Sequence, residues 1–166
     1  MSVRFWLGLI VSSALALPAL ADAPAKAIPA QAPAAPLAVS CDFVEISATK
    51  GKAAGPSIDP KLGPVEKKLK KAPFSPQWNE FKLLAQATKK LEKKKTEPIA
   101  LKQGAATATL VETVDKSKVR ITVTIDNAKG KQVVNQTTLL DAGDYVIHTQ
   151  VLPPNDDGHL LAVTCK

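Results

Sequence analysis

Two cysteines, two histidines and a crowd of lysines are the side chains in this 166-residue sequence whose types and spacing bear on chemistry. Cys41 alternates with Val39 and Phe43, and Cys165 with Leu161 and Val163, so each thiol is expected on the apolar face of a strand. With no third cysteine to compete, a buried Cys41–Cys165 disulfide is expected in an exported chain, tying the first strand to the last. Its α-carbons should lie about 4.4 to 6.8 Å apart. Zinc ligation by the two thiols would need a histidine cluster beside them, and the sequence has none at zinc spacing.

The imidazoles are His148 and His159. A hairpin folded about the midpoint of Pro153-Pro154 sets them opposite each other, an arrangement that binds copper or zinc weakly; the plainer expectation is two incidental surface histidines. No Gly-x-Ser-x-Gly, His-Glu-x-x-His, phosphate loop or dinucleotide fingerprint occurs. The adjacent carboxylates Asp156-Asp157 fall in a turn, where they cap backbone amides. The expectation is therefore a non-catalytic protein with no cofactor and no metal.

The lysines carry the strongest functional signal. Residues 61–95 hold eleven lysines against Glu66, Glu80 and Glu92, a local charge of about +8 in a chain whose formal net charge is +7. Lys67, Lys68, Lys70, Lys71, Lys89, Lys90, Lys93, Lys94 and Lys95 are the candidate anion-binding residues. Such an asymmetry attracts polyanions and acidic surfaces by steering and counterion release. Lipopolysaccharide, anionic phospholipid, an acidic protein or extracellular DNA are the partners it suits, and a solubilising face is the alternative. Phe74, Trp78 and Phe81 lie among the lysines. With only 4% aromatic residues the core needs them, each burying about 150 to 250 Å², so nucleic acid, which calls for exposed stacking rings, is not the expected partner.

The elements that must position these residues read as follows. Arg4, the apolar run Phe5–Leu17 and Ala19-Leu20-Ala21 form the pattern of a secretory signal over residues 1–21. The apolar run is shorter than the ~20 residues that span a bilayer, and removal of Arg4 leaves an exported charge of +6. Residues 22–37, nearly all Ala and Pro, cannot bury enough apolar surface to fold and read as an extended spacer. Residues 38–166 are expected to form one β-rich domain.

Within that domain the first strand is expected over Ala38–Ala48, its apolar parity shifting at Val44 and Ile46 as at a bulge or a strand buried on both faces. A loop, 50–63, leads to a short lysine-rich helix that Pro64 starts and Pro73 stops. Phe74–Asn79 reads as a compact turn before a strand over Glu80–Ala87. Val119, Ile121, Val123 and Ile125 alternate with Arg120, Thr122 and Thr124, the period-two signature of a half-buried strand. Ala105–Val114, Gln132–Leu140, Tyr145–Leu152 and Leu160–Cys165 complete the set, separated by Asn/Asp/Gly/Pro turns. The expected fold is mainly β: an antiparallel β-sandwich or partly closed barrel with one short lysine-rich helix.

Pro73-Phe74, Trp78, Phe81 and Leu83-Leu84, between a lysine-rich helix and a Thr/Val-rich β half ending in Leu-Leu-Ala-Val, resemble a group of exported bacterial proteins of unassigned function found in myxobacteria and their relatives. The resemblance covers residues 41–165. It implies a shared fold and export, and carries over no catalytic residue. The functional expectation is an exported, non-catalytic binding or assembly module of the cell envelope, periplasmic or extracellular, whose 61–95 segment engages an acidic component. The alternatives are a structural subunit docking by a sheet edge and a weak metal binder using His148 and His159.

Overall fold

The computed structural model describes residues 38–52 and 54–166; the signal and spacer segments, 1–21 and 22–37, lie outside the described residues. The chain folds as β1 (Ala38–Thr49), β2 (Ser57–Ile58), a 3-10 turn (Pro60–Leu62), α1 (Gly63–Leu69), α2 (Phe74–Gln77), β3 (Glu80–Glu92), β4 (Thr96–Ala100), β5 (Ala105–Thr113), β6 (Lys118–Asp126), β7 (Gln132–Asp141), β8 (Val146–Leu152) and β9 (Asp157–Cys165). The strands form two sheets, one in the order β2-β3-β1-β9-β8 and the other β4-β5-β6-β7. This is an open sandwich and not a barrel. Every strand pair is antiparallel except the two-residue pairing of β2 with β3.

The first strand is central because it is apolar on both sides. Val39, Cys41 and Phe43 face the second sheet and join Leu110, Ile121, Val123 and Val163 in the inter-sheet core. Val44, Ile46 and Ala48 face the other way, into a second core with Val65, Leu69, Trp78 and Phe81. The parity shift seen in the sequence is thus a change of cover: the second sheet lies over the first half of β1, the helices over the other face of its second half. The extra residue itself is in β3, where the register slips opposite Glu45 and Ile46.

Helix α1 forms where Pro64 presets the first turn and Glu66 and Lys67–Lys68 match the two ends of the helix dipole. Val65 and Leu69, four residues apart, put both apolar side chains on the sheet, each burial contributing about 1.5 to 3 kcal/mol. The expected compact turn at Phe74–Asn79 is in fact one turn of helix, α2. Strand β3 continues through Glu92, beyond the expected Ala87, because Thr88 to Glu92 find backbone partners on Asp42 to Ala38. Strand β4, unforeseen in the sequence, pairs with β5.

Trp78 locks the helical cover down. Its ring is buried and its Nε1–H donates to the Asp156 carbonyl at 2.8 Å. The ring lies so close to β9 that a Cβ on Gly158 would sit 2.7 Å from Trp78 Cζ2 and 3.0 Å from the Ala48 Cβ. The hydrogen bond keeps the indole from sliding away. Gly158→Ala is therefore expected to cost about 1 to 3 kcal/mol, the range for overpacking; an unchanged denaturant midpoint would show that the ring has room to move.

Candidate functional site

Helix α1 and the far end of β3 present the nine candidate lysines. Lys67, Lys70 and Lys71 are exposed on α1 and its C-terminal turn, and Lys68 reaches over the sheet to Asp144 at 2.8 Å and to the Tyr145 carbonyl. That bond holds the Asp144 carboxyl below its usual range. On β3, Lys90 pairs with Ser40 and so lies on the helix-covered side of the first sheet, whereas Lys89 pairs with Cys41 and turns half-buried toward the sandwich. Lys93, Lys94 and Lys95 make the turn that carries the chain from one sheet to the other, with Lys94 at φ 65° and its N–H donating to the Leu110 carbonyl at 2.9 Å.

Three of the nine are matched by acids. Lys68 pairs with Asp144, Lys70 with Glu66, and Lys95 with Glu97 at 2.8 Å and Glu92 at 3.9 Å. The Glu97 hydrogen bond, ahead of the charges of Glu92 and Glu97, raises the Lys95 ammonium above its usual range. Lys67, Lys71, Lys89, Lys90, Lys93 and Lys94 have no acidic partner within 4.0 Å among the described residues. Lys166, absent from the sequence-derived set, extends the basic row: its backbone pairs with Ser40, so Lys90, Ser40 and Lys166 lie side by side. Only pairing across strands brings the C-terminal lysine there, so a linear search over residues 61–95 misses it.

Both histidines are buried, against the expectation of surface positions. They also do not face each other, because β8 pairs His148 with Leu161 and Gln150 with His159. The hairpin turns one step away from the Pro153-Pro154 midpoint, and the two rings sit diagonally on the inner face of the sheet. His159 Nε2–H donates to Glu45 Oε1 at 2.8 Å, with both side chains 1% exposed. The same carboxylate accepts the N–H groups of Lys102 at 2.7 Å and Gln103 at 2.9 Å from the β4–β5 loop. Burial, the largest influence on Glu45, pushes its pKa up. The hydrogen bonds from His159, Lys102 and Gln103 and the charge of His159 together outweigh it and hold the carboxyl below its ordinary value.

His148 is set differently. Its Nδ1–H donates to Gln136 Oε1 of β7 at 3.1 Å, and burial lowers its pKa, favouring the neutral ring. His148 Nε2, Thr138 Oγ1 and Gln150 Oε1 have no hydrogen-bond partner among the described residues, which makes a polar seam between the edge strands β7 and β8. No group of three or more His, Cys, Asp or Glu able to hold a metal ion occurs among the described residues. His159 Nε2 is engaged by Glu45, and the register sets the two rings diagonally rather than opposite each other.

The disulfide joins Cys41 and Cys165 with α-carbons 4.0 Å apart, closer than the expected range. The reason is register. Ser40 and Lys166 exchange both backbone hydrogen bonds, at 3.2 and 2.9 Å, so the neighbouring Cys41–Cys165 pair is the non-hydrogen-bonded kind, in which antiparallel strands approach most closely. No helix of the described residues is long and apolar enough to cross a membrane. Comparison with protein-family models, with curated proteins and with solved structures finds no match to this chain.

Proposed function

We propose that the chain is an exported, non-catalytic binding or assembly module of the cell envelope, and that it holds an anionic surface against α1 and the β3–β4 turn. The observation that carries this reading is the set of six lysines on α1 and its C-terminal turn, the end of β3 and the β3–β4 turn that have no acidic partner within 4.0 Å among the described residues. Unneutralised ammonium groups on one small domain attract an anionic membrane by about 1 kcal/mol each near its surface. Burial of Trp78 and Phe81 removes the aromatic platforms that single-stranded nucleic acid uses, which favours a lipid or acidic envelope component over DNA. The disulfide and the signal pattern support an oxidising compartment, periplasmic or extracellular. The shared pattern of helix, aromatic turn and β half supports placing the chain with the myxobacterial-type exported proteins.

The test is partition onto vesicles containing anionic phospholipid or lipopolysaccharide across a salt series. Binding is expected to fall steeply with salt, and each lysine-to-glutamine change among Lys67, Lys71, Lys90 and Lys93 should weaken it by about fivefold at low salt. Absent or salt-insensitive binding rejects the reading.

A second reading, a structural subunit docking by a sheet edge, draws on one observation. The β7 edge from Gln132 to Leu140 contains no Lys, Arg or Pro, whereas the opposite edge strand β4 carries Pro98 and Glu97. Unguarded edges pair with other strands. Co-purification from envelope fractions that survives lysine neutralisation would favour it.

A further inference from the structure

We infer that the cleft at the disulfide end of the sandwich takes a single acyl chain carrying a phosphate, as an anionic membrane lipid presents it; the head-group half of this inference rests on Lys116 at the cleft mouth, the acyl half on the cleft alone. The cleft measures about 250 Å³. Its walls include Ala38 and Val39 of β1, Val119 of β6, Ala142 of the β7–β8 turn and Cys165 of the disulfide. Val39 and Val119, at 8% and 9% exposure, are the most open members of the inter-sheet core, whose remaining buried residues are at 2% or less. The hydrophobic core therefore reaches solvent at this end.

Charge at the mouth selects the ligand. Lys116 and Lys166 line the cleft. Of these, Lys166 is paired with Asp42 at 3.0 Å, while Lys116 has no acidic partner within 4.0 Å among the described residues. The Asp115 carboxylate, which lines the cleft, is turned onto its own loop: it accepts the Ser117 N–H at 2.7 Å and the Ser117 hydroxyl at 2.9 Å. An apolar slot with an unpaired ammonium group, that of Lys116, at its rim fits an amphiphile whose tail enters and whose anion stays outside. The volume lies just under the roughly 300 to 1,000 Å³ of pockets for drug-sized ligands, which restricts the slot to one chain.

The experiment titrates the full chain with decyl phosphate below its micelle concentration, following the Val39 and Val119 methyl resonances, with decanoate and anionic vesicles as parallel arms. Saturable shifts at both valines are expected. Ala142→Phe, a change at an exposed turn residue, should weaken binding by about tenfold by excluding part of the tail. Ala38→Phe does the same from the opposite wall, so a folding defect in either variant leaves the other as the test. Lys116→Gln should weaken decyl phosphate binding at low salt and leave the tail contacts at Val39 and Val119 unchanged. No saturable binding, or binding that both phenylalanine variants leave unaltered, overturns the inference. Binding that appears only after the residues ahead of Ala38 are removed also overturns it, since the chain itself would then fill the slot. Loss of decyl phosphate binding with salt-dependent vesicle binding intact rejects the cleft alone. The reverse outcome, with the tail retained and vesicles ignored, rejects the surface reading and leaves the cleft standing.

Discussion

Replacing Cys41 and Cys165 together by alanine is expected to lower the unfolding free energy by about 2 to 5 kcal/mol, a large part of the 5 to 15 kcal/mol typical of a small domain. The bond joins residues 124 apart, and in the chain-entropy account closing so long a loop removes about 5 kcal/mol of freedom from the unfolded state. Both sulfurs are also core atoms: Cys41 is fully buried and Cys165 is 2% exposed, packed with Val39, Phe43 and Val163. Alanine removes that packing as well as the covalent link. The pair sits at the junction of first and last strands, so its loss should loosen the β1–β9 ladder and the cleft beside it and leave α1 and its lysines on the surface. Denaturant unfolding of oxidised wild type against the double variant measures the loss. A difference below about 1 kcal/mol would mean that the backbone ladder alone holds the two ends together. Two alkylated thiols in unfolded, unreduced protein would show that the bond does not form.

The second large effect is expected at Glu45. Alanine there leaves His159 without its acceptor in a site 1% exposed and strands the N–H groups of Lys102 and Gln103. Removing one partner of a buried pair costs about 3 to 5 kcal/mol. The β4–β5 loop is the element that suffers, because those two amides are its tie to the first sheet. It has little freedom to readjust: at Gly104, φ is 106°, and a Cβ would meet the Asp126 carbonyl at 2.1 Å. Glu45→Gln keeps an acceptor and should lose less.

The same residue sets part of the pH dependence. Its folded pKa lies below the ordinary glutamate value of 4.5, so its contribution is complete above that value and disappears as pH falls through the lower folded value. Asp42, held down by the Thr88 hydroxyl and then by Lys166, works in the same direction. Wild type is therefore expected to lose stability more steeply than Glu45→Gln below about pH 4.5. Parallel stability curves for the two proteins down to pH 3 or so would show that Glu45 keeps the same pKa on unfolding.

Much of this architecture is written locally. The strict alternation of β6 names its buried face without help from any other segment, since successive side chains on a strand must point to opposite sides. Pro64, Glu66 and the lysines after them specify a short helix by backbone constraint and dipole. The apolar neighbours of Cys41 and Cys165 place both thiols in a core, and the absence of any other cysteine leaves one pairing to make. Strand β4 escapes such reading because Ile99 is its one buried residue and Pro98 interrupts its ladder; it is a strand only because β5 lies beside it. The second half of β3 was hidden for a related reason: Lys89 and Lys90 look like surface, and only the β1 backbone opposite makes them strand.

The functional geometry depended still more on distant pairing. Glu45 and His159 are 114 residues apart, and nothing near either one in sequence announces the other. Burial of a charged group is stable only where partners converge, and those partners came from β9 and the β4–β5 loop. Register likewise put Lys166 beside Ser40 and the lysine of β3, and set His148 diagonal to His159. Composition and periodicity act within one segment, so by themselves they determined the class of fold, the disulfide and the abundance of positive charge. Which lysines remain unneutralised, which polar groups are buried and where the core opens to solvent were decided by the tertiary structure, because each depends on what the rest of the chain brings into contact.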